Sequence, residues 1–215
     1  MAASQQKTPK KGLSGFHITL NAPVTLVFVA LCAAATLIGA LTGGLANRAV
    51  FSTYFTSFLD PMFYVRLFTH VLGHASWGHF AGNAIYLLLL GPLLEEKYDS
   101  RCLIEVILLT ALATGIVHAI FLPHSGLLGA SGVVFAFIVL GSVTNIRDGE
   151  IPLTFILVFV IFIGQQLFLG LTAADNVSNL THIVGGIVGG FAGFALASLG
   201  ESGKGSREKE PFVRH

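Results

Sequence analysis

The sequence predicts an all-α membrane protein: a bundle of six transmembrane helices with a long structured outward loop between the first and the second. Three observations predict it. Only 11% of the 215 residues are charged while 53% are hydrophobic, and mean hydropathy is +0.78. A soluble domain carries about 25% charged residues and needs them to meet water. Six apolar segments recur, at roughly 22–44, 79–94, 102–122, 128–145, 151–171 and 180–199. Finally, the basic residues segregate to alternate connections. The net charge of +1 offers no field for nucleic acid, so the expected partner is the lipid bilayer.

Residues 1–20 open with "MAASQQKTPKKGLSGF", which has little to bury and reads as a flexible tail. The membrane domain is expected at 21–200, and 201–215 reads as a second solvated tail. The first apolar segment is too long for a signal-peptide core of about 7–15 residues, and five more follow, so it is kept as an uncleaved helix. A spanning helix needs about 20 apolar residues to cross a core of about 30 Å. The first, third, fifth and sixth segments meet that length. The second and fourth are short, which leaves room for a water-filled cavity. The connection at 45–78 is the only long one, and loops above about 12–15 residues are commonly functional. Its aromatics, in "VFSTYFTSFLDPMFYVRLFTHVLGHASW", point to a folded element in the outer interface.

Six spans put both termini on one side. If that side is cytoplasmic it holds Lys7, Lys10, Lys11, Lys97, Arg101, Arg147, Lys204, Arg207, Lys209 and Arg214, against Arg48 and Arg66 opposite. The positive-inside rule therefore places both ends in the cytoplasm. With that surface as origin, Ser131 lies sixteen residues from Arg147, about 24 Å along a helix. His182 lies nineteen residues from Glu201, about 28 Å on the same rise. The two share a depth on different helices, and an ionisable residue inside a span is a functional candidate by default.

Small residues allow the two to meet. Gly185, Gly189 and Gly193 form one row, Gly186 and Gly190 begin another, and Gly132 with Ala136 gives a short match on the fourth span. Such rows let helix backbones approach closely in lipid. The sixth span pressed on the fourth brings the His182 imidazole to the Ser131 hydroxyl, the pair that activates a serine nucleophile. Ser131 also stands near a helix N-terminus, where free N–H groups favour a developing oxyanion. In "HFAGN", His79 and Asn83 lie at i and i+4 on one face, and both can donate to that oxyanion.

These residues resemble the rhomboid family of intramembrane serine proteases over about 20–200. Four motifs carry the likeness in order: "RLFTHVLGHASWGHFAGN", "LLEEKYDSR", "GASG" and the His182 glycine row. The resemblance implies a rhomboid-type bundle with a catalytic dyad, Ser131 as nucleophile and His182 as general base, and His79 with Asn83 at the oxyanion hole. It puts Gly129 in the turn beside the serine. It assigns Arg66 and Glu95 to holding the structure. Where related enzymes often stack a Tyr on the histidine, this chain has Phe135, which keeps stacking and loses the phenol hydroxyl. The implied activity is cleavage of membrane-protein substrates within a transmembrane helix, with no metal or organic cofactor.

No third dyad member is apparent: the outward carboxylates Asp60 and Asp175 both lie in loops. His70, His74 and His79 lack the HExxH pattern of a hydrolytic zinc site, and His70 and His74 are expected to make hydrogen bonds within the loop. His118 and His124 read as interfacial polar groups, and Gln165 and Gln166 as interhelical hydrogen-bonders. Cys32 and Cys102 make no disulfide framework. Substrate access is expected near the fifth span and the loop at 172–180. The alternative is a non-catalytic rhomboid-like binder of transmembrane helices acting in membrane-protein folding or turnover, although such relatives generally lack the serine or the histidine. A small transporter would show inverted repeats, and none is evident. Lack of a transit-type leader and the six-span plan lead to an expected bacterial plasma (inner) membrane location.

Overall fold

A computed structural model describes residues 20–143 and 180–192, with single helical positions at 153, 156, 157, 160 and 195. Outside the described residues lie both tails, most of the fifth apolar segment with Gln165 and Gln166, the proposed access loop with Asp175, and Gly193. The helices are α1 (Pro23–Leu41), α2 (Leu45–Ala49), α3 (Pro61–Thr69), α4 (Trp77–Phe121), α5 (Ser131–Val143) and α6 (Leu180–Ala192). Of these, α1 and α4 are long and apolar enough to cross a membrane.

α4 is two antiparallel legs. Its 45 residues, if straight, would separate the ends by about 65 Å. Yet the His79 ring lies 5.0 Å from that of His74, while Thr114 Oγ1 lies 3.2 Å from His70 Nε2. Both ends thus touch one short segment. The chain reverses at Asp99, whose φ of 73° is left-handed. With a ψ of 165° Asp99 adopts a conformation that residues with a side chain rarely take, which breaks the helix there. Its carboxylate accepts the Cys102 N–H at 2.9 Å and so caps the returning leg. The legs are 77–98 and 100–121. The first is longer than its apolar run because Glu95, Glu96, Lys97 and Tyr98 continue the helix past the last leucine.

Burial is inverted relative to a soluble bundle. α1 buries Thr25, Phe28, Cys32, Ala35, Thr36 and Gly39 and exposes Leu26, Val27, Leu31, Leu37 and Leu41. α4 buries Asn83, Glu95, Thr110, Thr114 and His118 while Leu88, Leu89, Leu93, Leu108 and Leu109 face out. Apolar surface this continuous is untenable in water and natural in lipid, where polar groups turn toward the bundle. Between the helices, Leu87, Leu103, Val133, Phe137 and Leu140 form the apolar centre.

One buried carboxylate joins α1 to α4. α1 has no side-chain cap of its own, so its first N–H groups need an acceptor. Glu95 supplies it: Oε1 accepts the Val24 N–H at 2.9 Å, and Oε2 accepts the Thr25 N–H at 3.0 Å and its hydroxyl at 2.9 Å. The Ser100 hydroxyl donates to Oε1 at 2.6 Å. Glu95 is 5% exposed, so removing it strands several donors at once. Glu95→Ala is expected to destabilise the fold by about 3 kcal/mol, the scale of losing hydrogen bonds to a charged group. Glu95→Gln should lose less. Thermal melts of both variants in mild detergent check the order, and equal melting of Glu95→Ala and wild type would refute the cap.

Candidate active site

α5 begins at Ser131, three residues after the apolar run does, because Gly129 has a φ of 132° that no helix tolerates. Glycine is required there twice over. The backbone lies in a region closed to L side chains, and a Cβ would sit 2.9 Å from Cε1 of His79. The first bond of α5 runs from the Val134 N–H to the Ala130 carbonyl at 3.0 Å. The N–H groups of Ser131, Gly132 and Val133 precede it, as at any helix start.

The turn before the serine is clamped by the segment that precedes α4. The Gly129 N–H donates to the His70 carbonyl at 2.9 Å, and the Ala130 N–H points at Nε2 of His74 at 3.5 Å. Two residues earlier, Thr53 and Leu127 exchange a pair of backbone hydrogen bonds, each 2.9 Å. His74 donates from Nδ1 to the Leu72 carbonyl at 3.1 Å, which leaves Nε2 as the acceptor. Burial, with His79 adjacent, pushes its pKa down to about 4, so that acceptor stays unprotonated at neutral pH. His70 is likewise buried and pushed down to about 4, its ring between the Arg66 carbonyl and Thr114 Oγ1, both at 3.2 Å.

α6 lies parallel to α5, backbone against backbone. Its buried face is Thr181, Gly185 and Gly189. A Cβ on Gly185 would run into the carbonyl oxygen of Gly132, and one on Gly189 into that of Ala136. Gly186 and Gly190 instead face Val139, each at 3.6 Å. His182 therefore stands beside the head of α5. Its ring stacks on Phe135, centroids 4.0 Å apart and planes 7° from parallel. Phe135 is one turn beyond Ser131, so the imidazole occupies the face of α5 that the serine heads. Ser131 and His182 are both half-buried.

His79 sits at the start of α4, where the Ser76 hydroxyl caps its N–H at 3.1 Å and its ring packs against Gly129. Asn83, one turn on, is 8% exposed, and its Nδ2 has no hydrogen-bond partner among the described residues. Arg66 and Glu95 lie away from this cluster. Buried Arg66 donates to Asp60 at 2.7 Å, to Thr56 Oγ1 at 3.2 Å and to the Tyr54 hydroxyl at 3.1 Å, with its guanidinium over the Tyr54 ring. Asp60 also caps α3 through the Met62 N–H. The Thr56 hydroxyl first, then Met62 and Arg66, hold its carboxyl below the ordinary value. It is committed to this knot rather than to a histidine.

Some contacts had no signal in the sequence. Thr53 opposite Leu127, and His74 opposite Ala130, join residues more than fifty positions apart. His118, expected at the interface, is instead buried, its Nε2 donating to the Ser125 carbonyl at 2.8 Å.

The sequence pattern described as Rhomboid domain matches residues 62–199. Rhomboid-related protein 1 of Caenorhabditis elegans is 31% identical over 141 residues, covering 61% of this chain and 39% of that protein. Rhomboid-related protein 2 of Mus musculus is 30% identical, covering 62% and 48%. Rhomboid protease GlpG of Enterobacter sp. (strain 638) is 32% identical, covering 60% and 48%. The matched region thus spans less than half the length of each of these relatives.

Two outcomes are expected of this packing. Gly185→Val should destabilise the protein by at least the 1–3 kcal/mol, roughly, of an overpacked core, because backbone carbonyls cannot step aside. Gly186→Val, facing a side chain, should cost less; a melting series in detergent ranks them. Acid should also loosen the clamp. An unfolded chain protonates His70 and His74 near 6.5 while the folded one resists until about 4, so the unfolded state binds more protons in that interval. Melting temperature should fall as pH drops from 6.5 to 4, and a flat profile there would contradict buried neutral imidazoles.

Proposed function

Since this chain belongs to the rhomboid family, an integral-membrane family, we propose that it is an intramembrane serine endopeptidase that cleaves transmembrane segments with a Ser131–His182 dyad. The observation that carries the reading is the His182 ring stacked on Phe135, one turn below Ser131, across a contact between α5 and α6 that glycine alone permits. In this reading six spans cross a bacterial plasma membrane, with both termini cytoplasmic and the 45–76 segment outward.

The chemistry follows from the groups present. His182 takes the Ser131 proton as Oγ attacks the carbonyl carbon of a locally unwound substrate peptide. The oxyanion is met by N–H groups at the head of α5, by His79 and by the Asn83 amide one turn along α4, whose Nδ2 has no partner among the described residues. The imidazolium returns its proton to the departing amine. Water, activated by the same histidine, then releases the acyl group from Ser131. Preformed donors of this kind are worth about 10²–10³ in rate apiece.

A fluorophosphonate probe tests the reading without knowledge of the substrate. Wild type should label, and Ser131→Ala and His182→Ala should not. Asn83→Ala should label or cleave a generic transmembrane substrate about 10²-fold more slowly. Asp60→Asn should keep most activity, because Asp60 is paired with Arg66; a loss like that of Ser131→Ala would overturn the dyad. A folded wild type that neither labels nor cleaves would point to the non-catalytic helix-binding alternative.

A further inference from the structure

Away from the serine, the 45–76 segment and the turn after α4 line an open cavity of about 450 Å³. Arg48, Ser52, Tyr54, His124 and Ser125 supply its polar lining, Phe55 and Pro123 an apolar wall, and no carboxylate lines it. Arg48 makes no ion pair among the described residues; Asp60, the nearest acidic residue to it in this segment, is bound to Arg66. Ser52 is only 6% exposed, yet its hydroxyl makes no hydrogen bond among the described residues. A Cβ on the adjoining Gly126 would lie 2.7 Å from that hydroxyl, so glycine leaves the Ser52 oxygen its space. A hydroxyl on a cavity wall that spends no bond on its neighbours can donate to an acceptor in that cavity. A cation, an imidazole and a hydroxyl on one wall call for an anion.

Position narrows the anion. The cavity lies at the end of the bundle opposite Glu95, where α4 ends in the exposed apolar pair Ile120 (65%) and Phe121 (69%). Polar groups above and lipid-facing side chains below match a headgroup joined to acyl chains, and a free ion would have no use for the apolar wall. We propose that this cavity binds the phosphate of an outer-leaflet phospholipid through Arg48, His124 and Ser52, with the acyl chains descending along Ile120 and Phe121. The site borders the Thr53–Leu127 pair on both sides: Ser52 and Tyr54 flank one member, and Gly126 adjoins the other. A bound lipid therefore stiffens the turn that presents Ser131. That consequence rests on the dyad reading; the binding does not.

The test titrates the full chain in detergent with phosphatidylglycerol, with diacylglycerol of the same chains, and with inorganic phosphate, following melting by the fluorescence of Trp77, the sole tryptophan. Phosphatidylglycerol should raise the melting temperature saturably, and Arg48→Ala and His124→Ala should each weaken half-saturation by about tenfold, the scale of one charge-assisted hydrogen bond. Diacylglycerol acting equally well, inorganic phosphate saturating at the same concentration, or both variants behaving as wild type would overturn the site. Fluorophosphonate labelling run alongside should quicken with phosphatidylglycerol in wild type and not in Arg48→Ala. A folded wild type that neither labels nor cleaves a transmembrane substrate sinks the dyad and leaves the melting result to decide the lipid site by itself.

Discussion

The backbone contact between α5 and α6 is the constraint on which the site depends. In lipid, apolar side chains gain nothing by leaving their surroundings for one another, so helices associate through close van der Waals packing. Gly185 over Gly132 and Gly189 over Ala136 bring the two backbones as near as they can come. That contact fixes the rotation of α6, its depth and the point where His182 meets α5. The Phe135 ring then holds the imidazole flat, removing the freedom that a half-buried side chain would otherwise keep.

The other half of the site is a turn held from above. Gly129 and Ala130 have their N–H groups taken by His70 and His74, and Leu127 is paired with Thr53. Those partners belong to the segment between α1 and α4, which is itself tied by Arg66, Asp60, Thr56 and Tyr54. The aromatic segment is thus part of the machinery that positions Ser131. Its polar knot, its neutral histidines and the turn form one chain of contacts that ends beside the serine.

At the far end Glu95 does comparable work with opposite chemistry. A carboxylate sunk among helices is expensive unless every lone pair is used. Here one side chain accepts from two backbone N–H groups and two hydroxyls, joining the start of α1 to the bend at Asp99. The helices show leucines outward while their polar groups turn inward, and the buried charges are satisfied in two such knots, at Glu95 and at Arg66.

The sequence by itself determined the helical class, the apolar segments, the small-residue rows and the short list containing Ser131, His182, His79 and Asn83. These depend on local composition and on periods of three or four residues, which one strand of text contains. It mismeasured the first leg of α4 and the start of α5, because charged residues prolong one helix and the conformation of Gly129 delays the other. Only the tertiary structure decided that Asp99 turns α4 back on itself, that Glu95 caps a helix seventy residues away, and that Thr53 and His74 hold the turn before the serine. Each of these joins distant residues through a register that close packing sets, and no local pattern encodes which carbonyl a donor will meet.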